Sequence, residues 1–330
     1  MLKFFRYSYI AQLVVIVLLT VALWVPVFVR QPDVVMVNNP MTPLYNIIAN
    51  FFEFSHTGFS LFVFAIFIAS VFFFNAMMSV NQLVTRNSSI GALVFVICLC
   101  CVPLQHEFYS FLMACPLIMM AMQIIYLIYL VDKPESYLMN AGLFIALASM
   151  VYLPSIILII WVLLSMLIMN FRKFRHYLIP LVGFITPYFL LFAYFYFSRT
   201  IIENIGAYSL IFNELHLVKY GLDTMEIITL LIVGLILTWS IFKIRSGNAD
   251  HSVSTTKKVT VTILLFFFGL LMLFMQKPVL CNGLIFLVLS VFVSMALCYV
   301  KKSRIINIVI IVMIVAVLAI QYLPIFGVRL

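Results

Sequence analysis

The chain has 330 residues, of which 66% are hydrophobic and only 9% charged, and its mean hydropathy is +1.24. A soluble domain carries about a quarter charged residues, so this composition excludes a water-soluble globular fold and makes lipid the solvent. The net charge of +9 is read as orientation rather than nucleic-acid binding, because Lys and Arg collect on the cytoplasmic side of membrane proteins.

The first apolar run, Tyr9 to Val29, follows Lys3 and Arg6. It is longer than the apolar region of a cleaved signal peptide and has no small-x-small site, so it is predicted to be an uncleaved anchor. In hydrocarbon every backbone polar group must be bonded internally, which makes each further apolar run a helix. The spans are predicted at 9–29, 58–80, 90–105, 108–131, 137–152, 154–171, 177–197, 226–242, 259–275, 279–300 and 305–323. The fold class is therefore all-α: a single membrane domain over 1–330 with about eleven passes. The segments 90–105 and 137–152 are short for a bilayer.

With the N-terminus in the cytoplasm, fourteen of the nineteen basic residues fall inside: Lys3, Arg6, Arg86, Lys133, Arg172, Lys173, Arg175, Lys243, Arg245, Lys257, Lys258, Lys301, Lys302 and Arg304. Arg30, Arg199, Lys219, Lys277 and Arg329 fall outside. This asymmetry is the one the positive-inside rule expects, and a miscounted early span would scramble it. The basic inner face suits anionic lipid heads.

No Asp, Glu, Lys or Arg lies near the middle of a predicted span, which argues against a proton-coupled pump or transporter. Gln12, Asn75, Asn81, Gln123, Asn140, Ser165 and Asn170 do lie in or near spans and are read as helix–helix hydrogen bonders. The six cysteines sit in apolar stretches without metal-ligand spacing and are read as small packing residues.

Polar chemistry is thus expected in the outer connections. The first, 30–57, holds Asp33 and then an amphipathic stretch in which Leu44, Ile47, Ile48, Phe51 and Phe52 recur at helical spacing. Thr42 suits its cap and Pro43 its first turn, predicting a short helix in the outer interface. The second, 198–225, carries Arg199, Glu203, His216, Lys219 and Asp223 and is expected to form one or two interfacial helices. His106-Glu107 forms a third polar turn on that side.

Several stretches carry a resemblance: Arg86-Asn87-Ser88-Ser89, Asn140 to Ser149, Tyr152-Leu153-Pro154-Ser155, Arg172-Lys173-Phe174-Arg175 and Gly183 to Tyr188. Together they resemble an uncharacterised Bacteroidota family of polytopic inner-membrane proteins. More loosely they resemble the GT-C class of glycosyltransferases that use polyprenyl-phosphate sugars, with the GT-C-like core in 1–200 and additional spans over 226–323. The GT-C resemblance implies an inverting sugar transfer on the outer face of a bacterial inner membrane. It assigns a catalytic carboxylate to the first outer loop, as general base or as ligand to a divalent cation. The matching neighbourhood here is Asn39 to Tyr45, which lacks the acids that the family places just before the tyrosine; Asp33 lies twelve residues before Tyr45. On this resemblance the catalytic candidates are Asp33, His106 and Glu107, and the lipid-phosphate candidates are Arg199, His216 and Lys219. The expected partners are membrane lipids, a polyprenyl-phosphate-linked sugar and other membrane proteins. A non-catalytic membrane subunit or scaffold with a degenerate GT-C-like fold, and a lipid or solute transporter, stay open as alternatives.

Overall fold

The computed structural model of the chain describes residues 9–30, 42–52, 55–84, 88–101, 106–131, 133–171, 173–197, 224–247, 253–272, 283–299 and 303–322. Every regular element among them is helical: α1 (Tyr9–Arg30), α2 (Pro43–Phe51), α3 (His56–Val80), α4 (Ile90–Cys100), α5 (His106–Leu127), α6 (Glu135–Val151), α7 (Leu158–Ile168), α8 (Phe174–Phe197), α9 (Thr224–Gly247), α10 (Val253–Met272), α11 (Gly283–Tyr299) and α12 (Ser303–Tyr322). Short 3-10 turns, Ile128–Leu130 and Leu153–Ile157, extend α5 and lead into α7.

Six helices (α1, α3, α5, α8, α9 and α10) are long and apolar enough to cross a membrane, which suits a membrane-embedded protein. Shorter apolar helices fall on the other expected spans.

The shortness of α4 has a packing reason. An eleven-residue helix is about 16 Å long, well under the ~30 Å of a hydrocarbon core. Every residue of α4 is buried, so no part of it has to match the lipid. A helix that is apolar all round belongs in an interior, and here α1, α3, α11 and α12 pack against it. Buried helix ends need partners for their free N–H groups. Ser88 Oγ accepts from Ile90 N–H at 3.2 Å, and the Asn75 side chain on α3 accepts from Ala92 N–H at 3.4 Å. Ser89 Oγ in turn donates to Gln12 of α1. The helix start is therefore capped by one neighbouring helix, α3, as well as by its own approach segment, while α1 holds the side chain of the residue before it. The second central helix, α11, is buried along nearly its whole length.

Helix α8 is the opposite case. Only Pro180 and Gly183 of its residues are buried, and it packs on α6 and α7. The α6–α8 contact is made by backbone: a Cβ on Gly142 would overlap the Pro180 carbonyl, and one on Gly183 would overlap the Met139 carbonyl. Small residues at both crossing points let the axes approach this closely. Tyr188 adds a hydrogen bond to Ser149 at 2.8 Å.

The polar residues expected to join helices divide. Gln12, Asn75, Asn81 and Gln123 do so. Asn140 is exposed. Asn170 takes a left-handed φ of 73° at the end of α7, where Phe171 N–H bonds back to Met166 O, the usual work of a helix-terminating Asn. Ser165 is buried with its hydroxyl unpartnered among the described residues.

Candidate functional site

Four rings connect four helices at one end of the bundle. Tyr45 of α2 meets Phe59 of α3 edge-on with centroids 5.9 Å apart, and Phe59 lies 5.9 Å from Tyr109 of α5. Tyr109 stacks on Trp24 of α1 at 6.1 Å. Phe64 and Phe67 complete the surround of the Trp24 indole, which is fully buried with its N–H unpartnered among the described residues. Ring clusters of this kind bury large apolar areas and hold their members in defined orientations.

Helix α2 lies on this layer. Pro43 opens it as expected, while Thr42 stands at the N-cap without a side-chain cap hydrogen bond. Pro43 and Ala49 are buried, Tyr45, Ile48 and Phe52 are half-buried, and Ile47 and Phe51 are 58% and 82% exposed. Apolar residues on both faces suit a helix resting between protein and lipid. Burial pushes the Tyr45 phenol up to about 12, and the neighbouring Tyr109 adds to the rise. Tyr45 is thus a neutral hydrogen-bond donor at every physiological pH.

The sequence-derived candidates stand as follows. Asp33, Arg199, His216 and Lys219 lie outside the described residues, as does all of the second outer connection up to residue 223. His106 and Glu107 are the first two residues of α5, with their side chains outside the described part. The Trp24–Tyr109 stack does bring the last turns of α1, which lead on to Asp33, beside the first turn of α5. Among the described residues, no three His, Cys, Asp or Glu side chains are grouped to hold a metal ion. Cys98, Cys100 and Cys115 are buried, and Cys101 and Cys298 half-buried, all as free thiols.

The other end of the bundle holds polar groups that sequence reasoning had left unconnected. Asn81 caps the end of α3; its amide donates to Met77 O at 2.9 Å and to Gln123 Oε1 of α5 at 2.6 Å. The Lys258 ammonium of α10 donates to Asn81 O at 3.2 Å. One turn on, Thr262 donates to Lys258 O, so the Tyr126 hydroxyl, 2.6 Å away, donates to Thr262. Lys257 lies 4.3 Å above the Tyr129 ring. Lys258, counted above among the basic residues of the inner side, is only 6% exposed. The readable signal was its register. Lys258 heads the stripe Val261, Thr262, Leu265, Phe268 and Met272, all buried, and Lys257 is one position off it. Beside this clasp is a cavity of about 590 Å³ lined by Ser79, Val80, Gln82, Leu83, Val84, Cys298 and Tyr299.

No protein-family model, no curated protein and no solved structure matches this chain.

Proposed function

We propose that the protein is a multi-pass protein of a bacterial cytoplasmic membrane, N-terminus inside, that transfers a sugar from a polyprenyl-phosphate carrier at its outer face, as a GT-C-like glycosyltransferase of envelope glycan assembly. One observation carries this reading: the Trp24–Tyr109 stack under α2. It sets the last turns of α1, from which the chain runs on to Asp33, beside the first turn of α5, which His106-Glu107 open, and so supports a reading in which these residues act together under an interfacial helix that admits a lipid-borne substrate. The chemistry is a displacement at the anomeric carbon. A carboxylate takes the proton from the acceptor hydroxyl, the new carbon–oxygen bond forms as the bond to the phosphate oxygen breaks, and the polyprenyl phosphate leaves. Asp33 is the base in this scheme, with His106 and Glu107 beside it and Arg199, His216 and Lys219 toward the phosphate.

The alternating passes are supported by the contacts themselves. Lys258 with Asn81, Tyr126 with Thr262 and Gln12 with Ser89 join positions expected inside. Trp24 with Tyr109, Gln321 with Cys100 and Tyr322 with Ala22 join positions expected in the outer half.

The test compares lipid-linked and surface glycans by mass spectrometry in cells lacking the protein and in cells restored with wild-type or Asp33→Asn protein. Accumulated lipid-linked sugar in the deletion and Asp33→Asn cells is expected; identical glycans in all of them would overturn the reading. A second reading, a non-catalytic membrane subunit, is favoured by α8. That helix is held along one narrow face and presents the rest of its length outward, where a partner helix could lie.

A further inference from the structure

Three buried side chains near the end of α3 have hydrogen-bonding capacity that the described residues leave unused. The Lys258 ammonium carries three N–H donors, yet among the described residues it makes one hydrogen bond, to the neutral carbonyl of Asn81. Asn81 is buried, and its amide N–H groups go to Met77 O and Gln123, but its Oδ1 has no partner among the described residues. Ser165 of α7 is buried with its hydroxyl in the same condition.

Helix directions put Ser165 at the level of Lys258. Tyr152, which leads into α7, meets Phe111 of α5 edge-on at 5.6 Å, just past Tyr109 of the ring layer. Helix α7 therefore starts near that layer and runs away from it. Lys258 lies near the start of α10 and touches the opposite end of α3, so α10 runs toward the layer. The Trp161 N–H donates to Val261 O at 3.1 Å and fixes these antiparallel helices against each other. Ser165 is one turn beyond Trp161, and Lys258 is one turn before Val261. With a rise of ~1.5 Å per residue, both lie about 5 Å farther from the ring layer than that bond. Residues three or four apart also share a helix face.

The unmet groups choose the ligand. The ammonium needs acceptors, Asn81 Oδ1 needs a donor, and the serine hydroxyl takes either. A cation is repelled by Lys258, and an anion would face the lone pairs of Asn81 Oδ1. Water accepts from the ammonium and donates to the amide oxygen. Buried waters typically make about three such hydrogen bonds, and one here would restore part of the hydration that a buried ammonium loses.

We propose that an ordered water molecule is held between Lys258, Asn81 and Ser165, joining α10, α3 and α7 through a polar site in the interior of the bundle. The site depends neither on the orientation of the chain in a membrane nor on any sugar transfer.

The test begins with thermal unfolding of the full-length protein in detergent, where the sign of one substitution decides. An unpartnered hydroxyl in a water-free core is a cost, so its removal in Ser165→Ala would raise the melting temperature. If the hydroxyl binds the water, Ser165→Ala is expected to lower the melting temperature by about 2 °C. That loss should vanish when the same change is made in the Lys258→Met protein, a comparison that also cancels the helix propensity of alanine. A raised or unchanged melting temperature for Ser165→Ala overturns the proposal, and so does an equal loss in both backgrounds. If Lys258→Met does not fold, a crystal structure of the wild-type protein grown with bromide decides. A water peak within hydrogen-bond distance of Lys258 Nζ, Asn81 Oδ1 and Ser165 Oγ is expected. An anomalous bromide peak there would make it an anion site, and direct contact among the three groups would leave no room for water; either result sinks the proposal.

Discussion

Gly142 and Pro180 meet backbone to backbone: the α carbon of the glycine lies so close to the proline carbonyl that a Cβ has no room. Gly183 repeats the arrangement against Met139. Because the obstructing atoms are backbone, no side chain can turn aside, and the helices themselves must separate. Gly142→Ala and Gly183→Ala are each expected to cost about 2 kcal/mol or more, the scale of overpacking in a rigid core, read as a lower melting temperature in detergent. Gly234 is the control. Nothing lies within 4 Å of its would-be Cβ, so Gly234→Ala should be neutral or stabilise slightly through helix propensity. Equal melting temperatures for all three variants would refute the tight crossing.

The Asn81–Gln123 bond gives a second expectation. Hydrogen bonds between membrane helices average well under 2 kcal/mol, and Asn81 keeps Met77 O as an acceptor when Gln123 is lost. Gln123→Leu should therefore cost about 1 kcal/mol. Asn81→Leu should cost more, because it also removes the helix-end bond to Met77. In a double-mutant cycle the two should be coupled by about 1 kcal/mol. Strict additivity would mean that the side chains do not meet.

How far this was legible in the sequence differs by residue. Hydropathy marks a span without reference to its neighbours, so the helices could be located one at a time. Asn81 and Gln123 were readable as hydrogen bonders, yet their pairing depends on the relative register of α3 and α5, which no single span encodes. The same holds for Asn75, whose work is to cap α4 from the side. Asn140 and Asn170 are of the same residue type, but they lie at exposed positions. The short span at 90–105 looked mismatched to a bilayer because span length assumes lipid contact, and α4 is enclosed by other helices. That Lys258 is buried while Lys257 is not was not legible from the charge pattern: adjacent residues on a helix point about 100° apart, and only one of the two faces the core. Of the candidate site, Pro43 and the amphipathic stretch were legible as α2, whereas the ring chain from Tyr45 to Trp24 joins four separate segments and leaves no local trace.

Tyr45 supplies a pH expectation. Its folded-state value is raised to about 12 from an ordinary 10, so the folded protein holds the phenolic proton where the unfolded chain releases it. The contribution to stability is present in full below pH 10 and is lost as pH rises from 10 toward 12. It amounts to up to about 2 kcal/mol. Tyr45→Phe has no proton to lose. Its melting temperature should fall less than that of the wild type between pH 9 and 11; parallel curves would show that the phenol is not held in the apolar layer.

Orientation can be tested where exposed side chains lie at opposite ends. Asn50 on α2, Glu135 at the start of α6 and Ser246 at the end of α9 are all exposed. With an inside N-terminus, the first lies outside and the other two inside. In a background with all six cysteines replaced, a membrane-impermeant maleimide applied to cells with a permeabilised outer envelope and a sealed cytoplasmic membrane should label Asn50→Cys at once. Glu135→Cys and Ser246→Cys should react only after the cytoplasmic membrane is opened. The pair is informative because the four helices α6 to α9 lie between them. A single extra or missing pass between them would separate their behaviour, and labelling of Ser246→Cys alone in sealed cells would place the error between α6 and α9. Labelling of both from outside, with Asn50→Cys protected, would invert the protein.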